Sequence, residues 1–140
     1  MVAVIIPVFL TLKYPVYILG VPHLLIRILS ICLFLAGTML FTSTLILFDK
    51  EGKGTLAPWH PTKHIVKSGI YRHSRNPMYL SVFTILFSEF LFTYNSGMLI
   101  WLLLFIMISG LYVIKVEEPH LKKRFGNIYD EYMMKTPRWF

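Results

Sequence analysis

Long uncharged apolar runs alternate with short polar and basic segments along this chain, and the pattern predicts helices that cross a membrane. Residues 28–48 contain no charged side chain and match the ~20 apolar residues that a spanning helix needs. Residues 78–94 form a second, slightly shorter run with Glu89 inside it, and residues 98–113 form a third. The uncharged Tyr94-Asn95-Ser96-Gly97 between them reads as the tip of a helical hairpin. At the start, residues 2–12 are apolar, Lys13 interrupts, and residues 14–22 resume with Pro15 and Pro22. That segment is either one kinked span or a shorter helix followed by a re-entrant or interfacial piece, with Lys13 snorkelling to an interface. The expected fold is an all-α integral membrane protein with about four transmembrane helices plus a C-terminal amphipathic cytoplasmic helix. It is a single membrane domain over 1–140: N-terminal spans in 1–48, a cytoplasmic loop in 49–76, a helical hairpin in 77–116 and a cytoplasmic tail in 117–140 that completes a cofactor site.

Two polar stretches interrupt the apolar pattern. Residues 49–76 carry Lys50, Lys53, Lys63, Lys67, Arg72 and Arg75 against Asp49 and Glu51, and Gly52, Gly54, Pro58 and Pro61 exclude a continuous helix in their first half. A connection of this length tends to be functional; Trp59 and His60 are expected at headgroup level. The tail from Lys115 places Leu121, Phe125, Ile128, Tyr129 and Tyr132 three or four apart, an amphipathic helix interrupted at Gly126. Pro119 disfavours helical geometry at Glu118, so the last span should bend at 117–119.

Composition sharpens this picture. The chain is 56% hydrophobic and only 15% charged, yet carries a net charge of +7, concentrated in the 49–76 stretch and the tail. That distribution points to an anionic membrane face, with the loop, the tail and both termini on the cytoplasmic side, and away from nucleic acid. The first apolar segment lacks a basic start and a clear small-residue cleavage site, so it is expected to be retained. Cys32, the sole cysteine, excludes an intramolecular disulfide. No metal-ligand spacing appears among His23, His60, His64, His73 and His120, so no metal is expected.

Candidate chemistry centres on residues 69–79, GIYRHSRNPMY. Asn76 is a favoured N-cap and Pro77 suits the first helical position, so a helix should begin at Pro77. The N–H groups of Met78, Tyr79 and Leu80 and the positive end of the helix dipole suit a carboxylate or phosphate, with Arg72, His73 and Arg75 just ahead. The plainer account is that these cations only hold a helix end at the headgroups. At the far end of the hairpin, Glu117 and Glu118 repel each other and want a cation, with only Lys115 near in sequence. Glu89, about ten residues into its helix, reads as structural. Hairpin closure brings the basic start and the acidic end to one membrane level, a bipolar site. S-adenosylmethionine, with a carboxylate, an ammonium and a sulfonium, matches it; a nicotinamide dinucleotide would use the basic half only.

The run GIYRHSRNPMYL, followed after one hairpin by EEPHLKKRFGNIYDEYMMKTPRW, resembles the C-terminal half of the isoprenylcysteine carboxyl methyltransferase and phospholipid methyltransferase superfamily over about residues 63–140. The resemblance implies a helical membrane enzyme that binds S-adenosylmethionine at its cytoplasmic face. It carries cofactor contacts onto His64, Ile65, Val66, Gly69, Tyr71, Asn76, Pro77, Met78 and Tyr79. It places Glu117 and Glu118 near the reacting groups, and Arg75 and Arg138 in organising the site. Asn76 stands where many members have histidine. Val113 stands where the prenylcysteine-modifying enzymes have an arginine, which weakens the case for a prenylcysteine carboxylate.

Methyl transfer from a sulfonium needs alignment and exclusion of water more than a metal. The expected acceptor is lipophilic, entering sideways from the bilayer; an amine or hydroxyl would give its proton to Glu117 or Glu118. Two rivals stand beside this reading: an NADPH-dependent membrane reductase of the sterol type, whose tail resembles residues 125–138, and a small non-enzymatic membrane subunit. Four thin spans around a cofactor also make a homo-oligomer a candidate assembly.

Overall fold

The computed structural model describes residues 5–13, 23–52 and 64–139, and their regular elements are helices. In chain order these are α1 (Ile5–Lys13), α2 (Leu24–Gly52), a 3-10 turn (Gly69–Arg72), α3 (Pro77–Thr93), α4 (Ser96–Tyr112), a π-turn (Val113–Glu117), α5 (Glu118–Phe125) and α6 (Asn127–Lys135). Two helical stretches, Leu24–Gly52 and Ser96–Phe125, are long and apolar enough to cross a membrane, and Pro77–Thr93 is a shorter apolar helix. Only 11% and 22% of the most apolar stretches of the two long helices are buried in the protein. A core helix of a soluble protein would be mostly covered. Here Leu25, Leu35, Met39, Ile100, Leu103 and Ile108 face outward, a surface that suits lipid and not water.

The helix boundaries follow local chemistry with two departures from expectation. First, α2 runs through Asp49, Lys50 and Glu51 to Gly52, so the polar connection begins later than residue 49. Second, the departure from helical geometry expected at Glu118 does not occur, and the helix continues through 117–119. Glu118 has φ −61° and ψ −46°, and its N–H donates to the Val113 carbonyl five residues back. This wider turn accompanies the proline, which has no N–H to donate, and the chain stays helical through it. The continuation over 14–22, and Trp59 and His60, lie outside the described residues.

The chain forms two compact units, one from Met1–Met39 and Ser81–Gly110, the other from Leu40–Leu80 and Leu111–Phe140. In the first unit, the hairpin tip turns through Tyr94 at φ +48°. Asn95 caps α4 through its Oδ1, which accepts the Gly97 N–H at 2.8 Å; this side chain does the work that the uncharged turn only hinted at. Phe83 meets Phe105 edge to face, with centroids 5.9 Å apart, and Leu86 and Met98 are fully covered. Glu89 belongs to this unit, with its Oε2 buried and without a hydrogen-bond partner.

Close helix approach rests on Gly37. A Cβ there would lie 2.8 Å from Ile85 Cγ1 and 3.2 Å from both the Ile85 nitrogen and the Ser81 carbonyl oxygen. Backbone atoms cannot retreat as a side chain can. Gly37→Ala should therefore destabilise the protein by roughly 1–3 kcal/mol, despite alanine's better helix propensity. Thermal unfolding in detergent checks this; a raised midpoint would show that α2 does not press on α3 there.

Candidate functional site

The second unit gathers most of the residues singled out by sequence. Its base is the approach to α3. Gly69 has φ +53°, a conformation that side chains rarely adopt, and opens the 3-10 turn that carries Tyr71 and Arg72. A few residues later Ser74 Oγ accepts the Asn76 N–H at 3.2 Å, a local turn that sets Asn76 and Pro77 at the start of α3. Asn76 and Pro77 are both buried.

Against this approach lies Glu118, only 8% exposed. Arg75 Nη1 donates to its Oε1 at 2.9 Å. Arg138 grips it with both arms of its fork, Nε to Oε1 at 2.8 Å and Nη2 to Oε2 at 2.9 Å. The cation that the acidic pair wants is thus supplied twice, from 43 and 20 residues away. A carboxylate this buried needs such partners, because desolvation is costly unless its lone pairs are filled. Hydrogen bonding to Glu118 in turn raises the Arg138 pKa, so the guanidinium stays charged.

Glu117 has a different environment. Its Oε2 accepts a hydrogen bond from the Tyr79 hydroxyl at 3.2 Å, and no guanidinium pairs with it among the described residues. The Trp139 ring stands edge-on to Tyr79, with centroids 6.4 Å apart. Burial, and then the Glu117 charge, push the Tyr71 phenol up to about 12, so it remains a neutral donor at physiological pH. The π-turn ends at Glu117 and α5 begins at Glu118. Two neighbouring carboxylates thus have separate surroundings, one clamped by arginines and one beside a tyrosine hydroxyl.

The tail closes over this cluster. Tyr132 donates its hydroxyl to the Tyr71 carbonyl at 2.7 Å, and Lys67 Nζ donates to the Ile128 carbonyl at 3.1 Å. The Arg75 N–H donates to the Pro137 carbonyl at 3.0 Å. The Arg138 carbonyl accepts from both Ser74 Oγ at 3.2 Å and Asn76 Nδ2 at 3.1 Å. Burial raises the Tyr129 and Tyr132 phenols as well, against the opposing pull of Arg75 on each.

Arg75, Asn76, Pro77, Tyr79, Glu117 and Glu118 therefore meet in one unit, with Tyr71 joined through Tyr132 and the Glu117 charge. Met78 follows Pro77 in the first turn of α3 and is partly buried. His64 is exposed, Ile65 half-buried and Val66 buried; no hydrogen bond or ion pair ties these three to the arginine–glutamate cluster. Sequence reasoning gave Arg138 an organising role but passed over Ser74, Lys67, Tyr132 and Trp139. The first three act through main-chain carbonyls, which leave no mark in a sequence; the only available signal was the proline and arginine near the chain end.

The fit of S-adenosylmethionine rests on what this cluster leaves unsatisfied. Arg75 Nε is buried without a hydrogen-bond partner, a donor suited to a carboxylate, and Glu117 is an acceptor suited to a cation. Among the described residues, no group of three or more His, Cys, Asp or Glu could hold a metal ion.

Comparison with known proteins assigns these features to a lineage. The family model for phospholipid methyltransferases matches residues 25–128. An uncharacterised protein of Haemophilus influenzae is 36% identical over 62 residues, covering 44% of this chain and 98% of that protein. No solved structure matches the chain.

Proposed function

This chain belongs to the phospholipid methyltransferase family, and from that premise we propose that it is an S-adenosylmethionine-dependent methyltransferase acting on a lipophilic acceptor at the cytoplasmic membrane face. The observation that carries the reading is the division of the acidic pair: Glu118 is consumed by Arg75 and Arg138, while Glu117 keeps only the Tyr79 hydroxyl. One carboxylate builds the site and its neighbour remains available for chemistry.

In this mechanism S-adenosylmethionine supplies an electrophilic methyl on a sulfonium. Arg75, through its unpaired Nε, would hold the cofactor's carboxylate; of the three N–H groups expected to serve it at the start of α3, that of Leu80 is engaged by the Asn76 carbonyl. Glu117 would face the positive groups, and Tyr79 fixes the orientation of that carboxylate. The acceptor enters from the bilayer. Val113 is fully buried, and the two guanidiniums beside the acidic pair are both engaged with Glu118. Among the described residues no third guanidinium pairs with the acidic pair, which favours an amine or hydroxyl over an isoprenoid acid. Glu117 then takes the acceptor's proton.

The multi-pass topology proposed with this reading has four spans, the first beginning with α1 and the others α2, α3 and α4. The basic segments flanking α2, α3 and α5 face the cytoplasm by the positive-inside rule. Homo-oligomerisation would complete the enclosure of so small a membrane domain.

Purified protein in detergent, given methyl-labelled S-adenosylmethionine and a total lipid extract, should move label into an amine- or hydroxyl-bearing lipid. Label in an acidic isoprenoid ester would overturn the acceptor assignment. No label in any lipid would favour the non-enzymatic reading.

A further inference from the structure

The segment before α3 owes its shape to the chain's other end. From Lys67 to Asn76, contacts run in register with Ile128 to Arg138: Lys67 to Ile128, Tyr71 to Tyr132, Arg72 to Thr136, Arg75 to Pro137, and Ser74 and Asn76 to Arg138. Arg138 carries four of the hydrogen bonds of this segment. Its carbonyl holds Ser74 and Asn76, and its guanidinium holds Glu118 by two bonds. We propose that residues 136–139 are a latch whose docking sets cofactor affinity, with Arg138 as the positioning residue; this rests on the methyltransferase reading above.

The electrostatics allow the latch to open. The Arg138 side chain is 34% exposed, whereas those of Arg75 and Glu118 are 9% and 10% exposed. When Arg138 leaves, Glu118 keeps Arg75, so no buried carboxylate is stranded. The cost of opening is that of a partly solvated pair, much less than that of a sealed one. What is lost is the carbonyl that orients the Asn76 amide and the Pro137 carbonyl that holds the Arg75 N–H. Both neighbours of the proposed cofactor carboxylate site are released together. Docking and binding are then linked, and linkage is reciprocal: whatever factor the docked latch adds to cofactor affinity, bound cofactor must add to latch docking.

Two measurements on the full-length protein in detergent test this. Calorimetric titration with S-adenosylmethionine should give Arg138→Ala a dissociation constant raised about tenfold or more. Arg138→Lys, which keeps the charge and loses the fork, should fall between it and wild type. In unmodified protein, tryptic release of the residues beyond Lys135, followed by mass spectrometry, should slow on saturation with S-adenosylmethionine. Release that ignores the cofactor, or Arg138→Ala with wild-type affinity, overturns the latch. A wild-type protein that binds no S-adenosylmethionine overturns the functional reading itself and the latch with it, so the two failures are told apart by the wild-type titration.

Discussion

Glu117→Gln should lower methyl transfer by roughly 10²–10⁴-fold at saturating cofactor, the range that a lost general base costs. The substitution is nearly isosteric, and the amide oxygen can still accept the Tyr79 hydroxyl, the side-chain hydrogen bond that Glu117 makes among the described residues. What disappears is the negative charge and the capacity to take a proton. No arginine depends on Glu117 for its counter-charge, so thermal stability in detergent should be nearly unchanged. Turnover and the unfolding midpoint measured on the same preparation check the prediction. Unchanged turnover would remove Glu117 from the chemistry, and a large fall in the midpoint would give it the structural role assigned here to its neighbour.

Glu118→Gln should do the reverse at the adjacent position. It leaves Arg75, whose side chain is 9% exposed, without a counter-ion, and gives the Arg138 fork one neutral acceptor oxygen in place of two charged ones. Removing one partner of a buried ion pair costs on the order of 3–5 kcal/mol; the partial exposure of Arg138 argues for the lower end. Denaturant or thermal unfolding should show that loss. Glu118→Met combined with Arg75→Met should recover part of it, because the stranded charge goes with its partner and apolar replacements of a buried pair are often tolerated. If the double variant is as unstable as Glu118→Met alone, the cost does not come from an uncompensated guanidinium.

Much of this was legible in the chain. The start of α3 at Pro77 followed from asparagine, proline and an apolar run, and the hairpin tip from an uncharged Tyr-Asn-Ser-Gly. That Glu117 and Glu118 want a cation also followed from charge alone. Which cation answers was not legible, because Arg75 and Arg138 come from distant segments. That only Glu118 receives it was less so, since adjacent helical residues point about 100° apart and only the packed helix decides which one turns to the arginines. The π-turn was hidden too. The pre-proline rule is local, and at Glu118 a wider helical turn satisfies the backbone without a break. The contacts of the tail run largely through carbonyl oxygens, which every residue carries, so sequence shows the arginine but not the strap it belongs to.

One compact cluster is expected to meet both the anionic and the cationic groups of a single cosubstrate. Equilibrium titration of the purified protein with S-adenosylmethionine, and in parallel with NADPH, tests it most directly. Saturable one-site binding of S-adenosylmethionine, weakened in Glu117→Gln and absent for NADPH, is the predicted result. Binding of NADPH without S-adenosylmethionine would rule out a methyltransferase site in this cluster.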